Sequence, residues 1–254
     1  MESDQDAKMD ILRTLKSKFF PYIDVINQSN FYYVMHQLKL AHWHLLDNYI
    51  KKDLAAQKMF PKRKFESFIE TCLTGLKIDK ALDYDMKDMV GYYNDHRHSL
   101  PCFGAILLNS SLTEIVLVKG QKDKSWTFPR GKIEYHEDEN EVQCAIREVQ
   151  EEVGIDISNL INPSNKIQKR VWKANSYSKD PAAKPEKIYH KVTLYIIPNV
   201  DKTIVDELKT TDEIKHVKWW NLDDLHENDY KNFRFVKQFL SELKMKKDLF
   251  FPSI

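Results

Sequence analysis

Hydrophobic positions recur with two different periods along this chain, and the change falls near residue 100. Upstream, Ile11, Leu12, Leu15 and Phe19 share one side of a stretch that predicts a helix over 6–20, closed by Pro21. Val34, Leu38, Ala41 and Leu45 recur at helical spacing over 31–51 and should face a core. On that second helix Trp43 and Asp47 are four residues apart and project on nearly the opposite side. Tyr32, Leu46 and Ile50 lie close to that second face, so the helix is apolar almost all round, and packing of Trp43 on a neighbouring helix is its ordinary fate. Segments 62–76 and 78–94 predict two more amphipathic helices. The polar run 93–101, ending in Pro101, reads as a linker or hinge.

Downstream the pattern shortens to β-branched runs and turns. Runs 102–109 and 114–119 flank a short polar turn and predict a hairpin. Residues 125–128 lead into a loop broken by Pro129 and Gly131, and a long helix follows. Runs 166–173 and 187–198 predict two strands around the polar, Pro-containing loop 176–185, and 213–220 predicts another. A helix over 229–247 closes the chain, with Phe235, Val236, Phe239, Leu240 and Leu243 as its apolar arc. The division is therefore 1–97, all helical, and 98–254, with strands around one long helix. The fold class is α+β: an N-terminal all-α domain followed by an α/β/α sandwich.

Composition adds bounds. The 254 residues are 42% hydrophobic and 30% charged, enough for a real core and a soluble protein. No apolar run is long enough to span a bilayer, and the acidic, polar start is not a secretory signal. Cys72, Cys102 and Cys144 are scattered with no C-x-x-C pair, which argues for a reducing compartment, expected to be the cytoplasm, and against disulfides or a zinc site. Net charge is only +1 and points to no partner, but its local distribution does. Between Tyr230 and Lys247 there are six basic residues and one acid, Glu242. With Lys231, Arg234, Lys237 and Lys244 mainly opposite the apolar arc, this imbalance fits an electrostatic footprint for a phosphate backbone.

The densest chemistry lies in 131–155. Glu148, Glu151 and Glu152 are spaced i, i+3 and i+4, so three carboxylates share one helix face, a repulsive arrangement unless a cation is bound. Hard divalent cations take such oxygen ligands together with substrate phosphates. A solvated charged face is the commoner fate of a glutamate cluster. Arg147 sits four residues before Glu151 and can orient it, and Gly154 suits a left-handed helix end.

With Trp126-Thr-Phe-Pro-Arg-Gly-Lys132 upstream, the segment resembles a Nudix box, G-x5-E-x7-R-E-U-x-E-E-x-G-U with U aliphatic. Gly131, Arg147, Glu148, Val149, Glu151, Glu152, Gly154 and Ile155 fit it. One departure stands out: seven residues rather than five separate Gly131 from Glu139, the glutamate at the helix spacing, while Glu137 keeps the spacing from Gly131. Glu139 is favoured, since loops absorb insertions and helices do not. The resemblance implies hydrolysis of a nucleoside diphosphate linked to another group, with Mg²⁺ or Mn²⁺ as cofactor. It makes Glu148 and Glu152 metal ligands, Glu151 a third carboxylate that is both catalytic and metal-binding, and the Gly131 carbonyl a further ligand. Glu152 counts as catalytic too, and Arg130 and Lys132 are placed to hold phosphates.

The helical N-terminus, Leu40-Ala-His-Trp43-His-Leu-Leu-Asp47 and the basic final helix are together similar to the family of mRNA-decapping catalytic subunits. That family uses a Trp and an Asp of the helical domain for the cap base, matching Trp43 and Asp47. It has a catalytic glutamate in Asp-Glu-Ile, matching Glu213 in Asp212-Glu213-Ile214, which would otherwise be an exposed acid on a strand edge. Tyr230 is a further candidate for cap contact. Capped mRNA is the implied substrate, a small decapping activator subunit on the helical domain the implied partner, and two hinged domains imply open and closed forms. The competing expectations are a general Nudix hydrolase of small nucleotides such as ADP-ribose, and a non-catalytic RNA-binding Nudix module.

Overall fold

A computed structural model describes residues 2–121, 123–134, 139–180, 182–203, 214–225 and 230–250. The chain separates into two compact units, Met1–His98 with Ala174–Ile188, and Ser99–Lys173 with Tyr189–Ile254. The segment 174–188, part of the second domain in the linear division, groups with the helices.

The first unit is helical, with α1 (Glu2–Phe19), α2 (Phe31–Leu45), α3 (Leu54–Met59), α4 (Phe65–Leu76) and α5 (Met86–Ser99). A short parallel pairing joins β1 (Val25–Ile26) to β2 (Asp79–Lys80). Leu12, Leu15, Val34, Leu38, Ala41, Ile69 and Tyr93 form its core, and each large side chain so buried contributes about 1.5–3 kcal/mol. One expectation needs correction: residues 78–94 are not one helix, because β2 intervenes and α5 begins only at Met86. The boundary between the two units falls between His98 and Ser99, inside the polar run 93–101, and most of that run is helical, because α5 continues to Ser99. Its polar composition reflects half-exposed faces, while Tyr93 is buried and His96 stacks on Tyr32 at 4.0 Å. Loop 176–185 is tied down by Tyr177, whose hydroxyl donates to buried Asp88 at 2.8 Å.

The second unit is a sandwich. Its main sheet has the order β5 (Arg130–Lys132), β3 (Cys102–Leu107), β7 (Lys187–Ile197), β6 (Lys166–Asn175), and a second ladder pairs β4 (Glu114–Gly120) with β8 (Ile214–Asn221). The predicted hairpin of 102–109 with 114–119 does not form; only an isolated bridge links Leu108 to Ile115. Both edges of β3 are already taken, antiparallel by β5 and parallel by β7. All six β3 residues are buried, as a central strand covered on both faces requires. Cys102 and Ile106 face the cluster that includes the last helix, α7 (Tyr230–Phe250), whereas Phe103, Ala105 and Leu107 face α6 (Glu141–Val153).

Helix α6 has clear local causes. Asn140 accepts from the amides of Val142 and Gln143, and the Gln143 side chain accepts from the Asn140 amide, a complete capping box. Gly154 ends the helix at φ 72°, where a Cβ would be strained. Cys144, Ala145, Val149 and Val153 are its buried stripe, which leaves the glutamates on other faces. Asn140→Ala should lower stability by about 1 kcal/mol, read as a lower urea midpoint with unchanged slope.

Candidate active site

The glutamates of α6 are organised by one cation. The Arg147 guanidinium donates to Glu139 through Nε at 2.7 Å and Nη2 at 3.1 Å, and through Nη1 to Glu148 at 2.8 Å and Glu151 at 3.1 Å. Nη2 also donates to the Lys132 carbonyl at 3.1 Å, which binds α6 to the end of β5. Glu139 in turn accepts from the Glu134 amide at 3.0 Å. Against the upward push of burial, Arg147 and that amide hold the Glu139 carboxyl below its usual range. Glu139, the glutamate at the helix spacing, joins the cluster; Glu137 lies outside the described residues.

Glu148 lies against Gly131 so closely that a Cβ there would fall 1.9 Å from its carboxyl carbon. Its side chain is 13% exposed, and burial pushes its pKa up to about 7; Arg147 opposes the rise, while Glu151 and Glu139 add to it. Glu152 reaches the same strand and accepts from the Arg130 amide at 3.0 Å. The Gly131 carbonyl faces α6, 4.0 Å from the Cys144 thiol. Glu151 is 57% exposed.

Arg130 carries a feature that the sequence did not signal. Its guanidinium lies over the Phe235 ring of α7 at 4.1 Å, and its buried Nε has no hydrogen-bond partner among the described residues. An α7 residue read only as part of an apolar arc therefore supports a candidate phosphate ligand. The Lys132 Nζ is buried as well. On α7 itself Lys231, Arg234 and Lys244 are exposed and Lys237 is half-buried, while Phe233, Val236, Phe239 and Leu243 enter the core.

In the helical unit, Trp43 is 43% exposed rather than packed away, and Lys39 lies 5.5 Å from its ring. Asp47 pairs with Lys51. It sits in a single π turn, Leu46–Ile50, where the Lys51 amide donates to the Leu46 carbonyl at 3.0 Å. Such turns recur at functional sites, and periodicity did not reveal this one. Glu213 and the side chain of Tyr230 lie outside the described residues.

No group of three His, Cys, Asp or Glu forms a ready metal site among the described residues. The donor chemistry nevertheless fits a hard cation. Two carboxylates and a carbonyl, all oxygens, meet the backbone of 130–131, and the buried Glu148 carboxylate lacks full compensation.

Residues 98–240 match the family described as the NUDIX domain, and the chain belongs to that family. Its hydrolases generally use divalent metal ions. More narrowly, the chain is similar to three curated relatives. It is 32% identical over 217 residues to the mRNA decapping complex subunit 2 of Schizosaccharomyces pombe, covering 85% of this chain and 26% of that protein. It is 29% identical over 216 residues to the mRNA-decapping enzyme subunit 2 of Arabidopsis thaliana, covering 85% of this chain and 52% of that protein. It is 26% identical over 172 residues to the m7GpppN-mRNA hydrolase of Saccharomyces cerevisiae, covering 68% of this chain and 16% of that protein. The chain thus spans between about a sixth and about half of these relatives' lengths. Among the described residues no helix is long and apolar enough to cross a membrane.

Gly131→Ala should displace the Glu148 carboxylate. The expected result is at least a tenfold rise in the Mn²⁺ concentration needed for half-maximal hydrolysis, measured by metal titration, with melting temperature tracked alongside.

Proposed function

We propose that this chain hydrolyses the 5′ 7-methylguanosine cap of mRNA, releasing 7-methyl-GDP and RNA with a 5′-monophosphate, in cytoplasmic mRNA decay. The observation that carries the reading is the meeting of Glu148, Glu152 and the Gly131 carbonyl at one strand end, beside an Arg130 Nε with no acceptor among the described residues. The likeness to relatives named as decapping enzymes narrows the substrate.

Water attacks a phosphorus of the triphosphate bridge, a P–O bond on the other side breaks, and the water proton passes to a carboxylate. Glu148, Glu152 and the Gly131 carbonyl, with Glu151 as a further carboxylate, would hold Mg²⁺ or Mn²⁺, which would supply charge neutralisation at the phosphates. Arg130 donates to a phosphate oxygen from a guanidinium already fixed in place, so little ordering remains for the transition state. Lys132 adds a second positive group. Glu213 is the proposed general base, in Asp212-Glu213-Ile214.

Trp43 offers an exposed ring to the cationic 7-methylguanine, and Asp47 accepts from the guanine edge, with Tyr230 as a further cap contact. Lys231, Arg234, Lys237 and Lys244 hold the RNA backbone. A small activator subunit on the helical unit completes the reading.

Product identification from cap-labelled RNA tests the reaction. With either metal, 7-methyl-GDP is expected. Equal or faster hydrolysis of free cap dinucleotide would return the chain to small nucleotides, and no release of label even with an activator would leave binding alone. Glu152→Gln should cut turnover at least tenfold with RNA affinity retained. Trp43→Ala should cost about 0.5–2 kcal/mol on methylated caps and less on unmethylated ones, read as a ratio of kcat/KM.

A further inference from the structure

Strands β6 and β7 together hold six basic residues, Lys166, Lys169, Arg170, Lys173, Lys187 and Lys191, and no Asp or Glu. Their two faces differ. Ile167, Val171, Val192, Leu194 and Ile196 point into the cluster that includes α7. Alternation sends Arg170, Trp172, Tyr189 and Lys191 to the other face, which α6 covers only in part. Tyr195 on that face belongs to the α6 cluster, and Lys191 and Lys166 reach Glu141 at the start of α6 at 3.1 and 3.8 Å. One carboxylate thus serves two ammonium groups.

Further along, β6 is the last strand of the sheet, and the rings are left in water: Trp172 is 48% exposed and Tyr189 36%. The Arg170 guanidinium lies 5.0 Å from the centre of the Tyr189 ring. An edge strand normally carries charge to deter pairing, and lysines alone would serve. An exposed tryptophan adds nothing to that defence. Aromatic faces set beside exposed cations are what single-stranded nucleic acid recognises, since every base can stack and every phosphate is an anion.

We infer that the β6–β7 face is a binding surface for single-stranded RNA, with bases stacked on Trp172 and Tyr189 and phosphates drawn by Arg170. It deepens the capped-RNA reading, adding a contact for the body of the RNA apart from α7. Recognition is sequence-tolerant, because it uses π faces and charge rather than base edges.

The test uses the whole chain and an uncapped, fluorescein-labelled U12 oligonucleotide, with affinity read by anisotropy at several salt concentrations. Trp172→Ala combined with Tyr189→Ala should weaken binding at least tenfold, and Trp172→Phe should restore most of the loss. Arg170→Gln should lower the slope of log affinity against log salt by about one half to one. The melting temperature should match the parent's in all of these variants, which shows that they fold, and any hydrolysis of free cap dinucleotide should be unchanged. Unchanged U12 affinity in the double variant, or no U12 binding by the parent chain, overturns the inference and leaves the rings to a protein partner. If the double variant loses U12 while the parent never releases a cap, the surface stands and the decapping reading falls. If the parent decaps RNA and the double variant binds U12 as well as the parent does, the reverse holds.

Discussion

Everything at the head of α6 depends on one guanidinium holding three carboxylates that would otherwise repel one another. Two like charges 4 Å apart cost about 4 kcal/mol at the effective dielectric of a partly buried site. Arg147 touches Glu139, Glu148 and Glu151, and its Nη2 also grips the Lys132 carbonyl. Because Glu139 holds the Glu134 amide, the contacts close into a ring of two backbone groups, one glutamate and one arginine. That ring sets Gly131 against the helix. Without it the Lys132 carbonyl and the Glu134 amide would lose their tie to α6, leaving the Glu152 contact with the Arg130 amide to hold β5 against the helix.

The compensation is incomplete where it matters most. Of the three acids that Arg147 contacts, Glu139 is the most enclosed and Glu148 next, well ahead of exposed Glu151, and Arg147 must divide its charge among them. Burial therefore still raises the Glu148 pKa, to about 7. Above its ordinary pKa, keeping this side chain charged costs the folded state stability, and a divalent cation at the carboxylate would remove that cost. The same crowding explains why Gly131 has no side chain: the carboxylate occupies the space where a Cβ would be.

Much of this was legible because it is local. Helix spacing places Glu148, Glu151 and Glu152 by arithmetic, and Asn140 and Gly154 mark the ends of α6 through capping chemistry that needs no tertiary contact. What escaped was decided by distant residues. The hairpin 102–119 looked sound until β7, some ninety residues later, took the edge of β3. The polar run 93–101 does hold the boundary between the units, but its helical course to Ser99 was not legible, because its partners, Tyr32 among them, lie sixty residues upstream. The π turn at Asp47 is one extra residue per turn, below the resolution of a hydrophobic period.

Phe235 is the most instructive of these omissions, since its apolar character was plain and its neighbour was not. The ring that props Arg130 belongs to the same helix whose outer face carries Lys231, Arg234 and Lys244. A backbone hydrogen bond from the Trp126 amide to the Asn232 carbonyl, 2.8 Å, ties the start of that helix to the segment leading into Arg130. Phe128, on that same segment, packs against both Phe235 and Phe239. The chain breaks helical geometry at Phe233, so this tie holds the first residues of the helix, while Phe235 and Phe239 hold the part beyond the break. The proposed RNA-backbone cations and the ring beneath Arg130 therefore share one helix, and a shift of its Phe235 segment would move the aromatic plate under the proposed phosphate ligand.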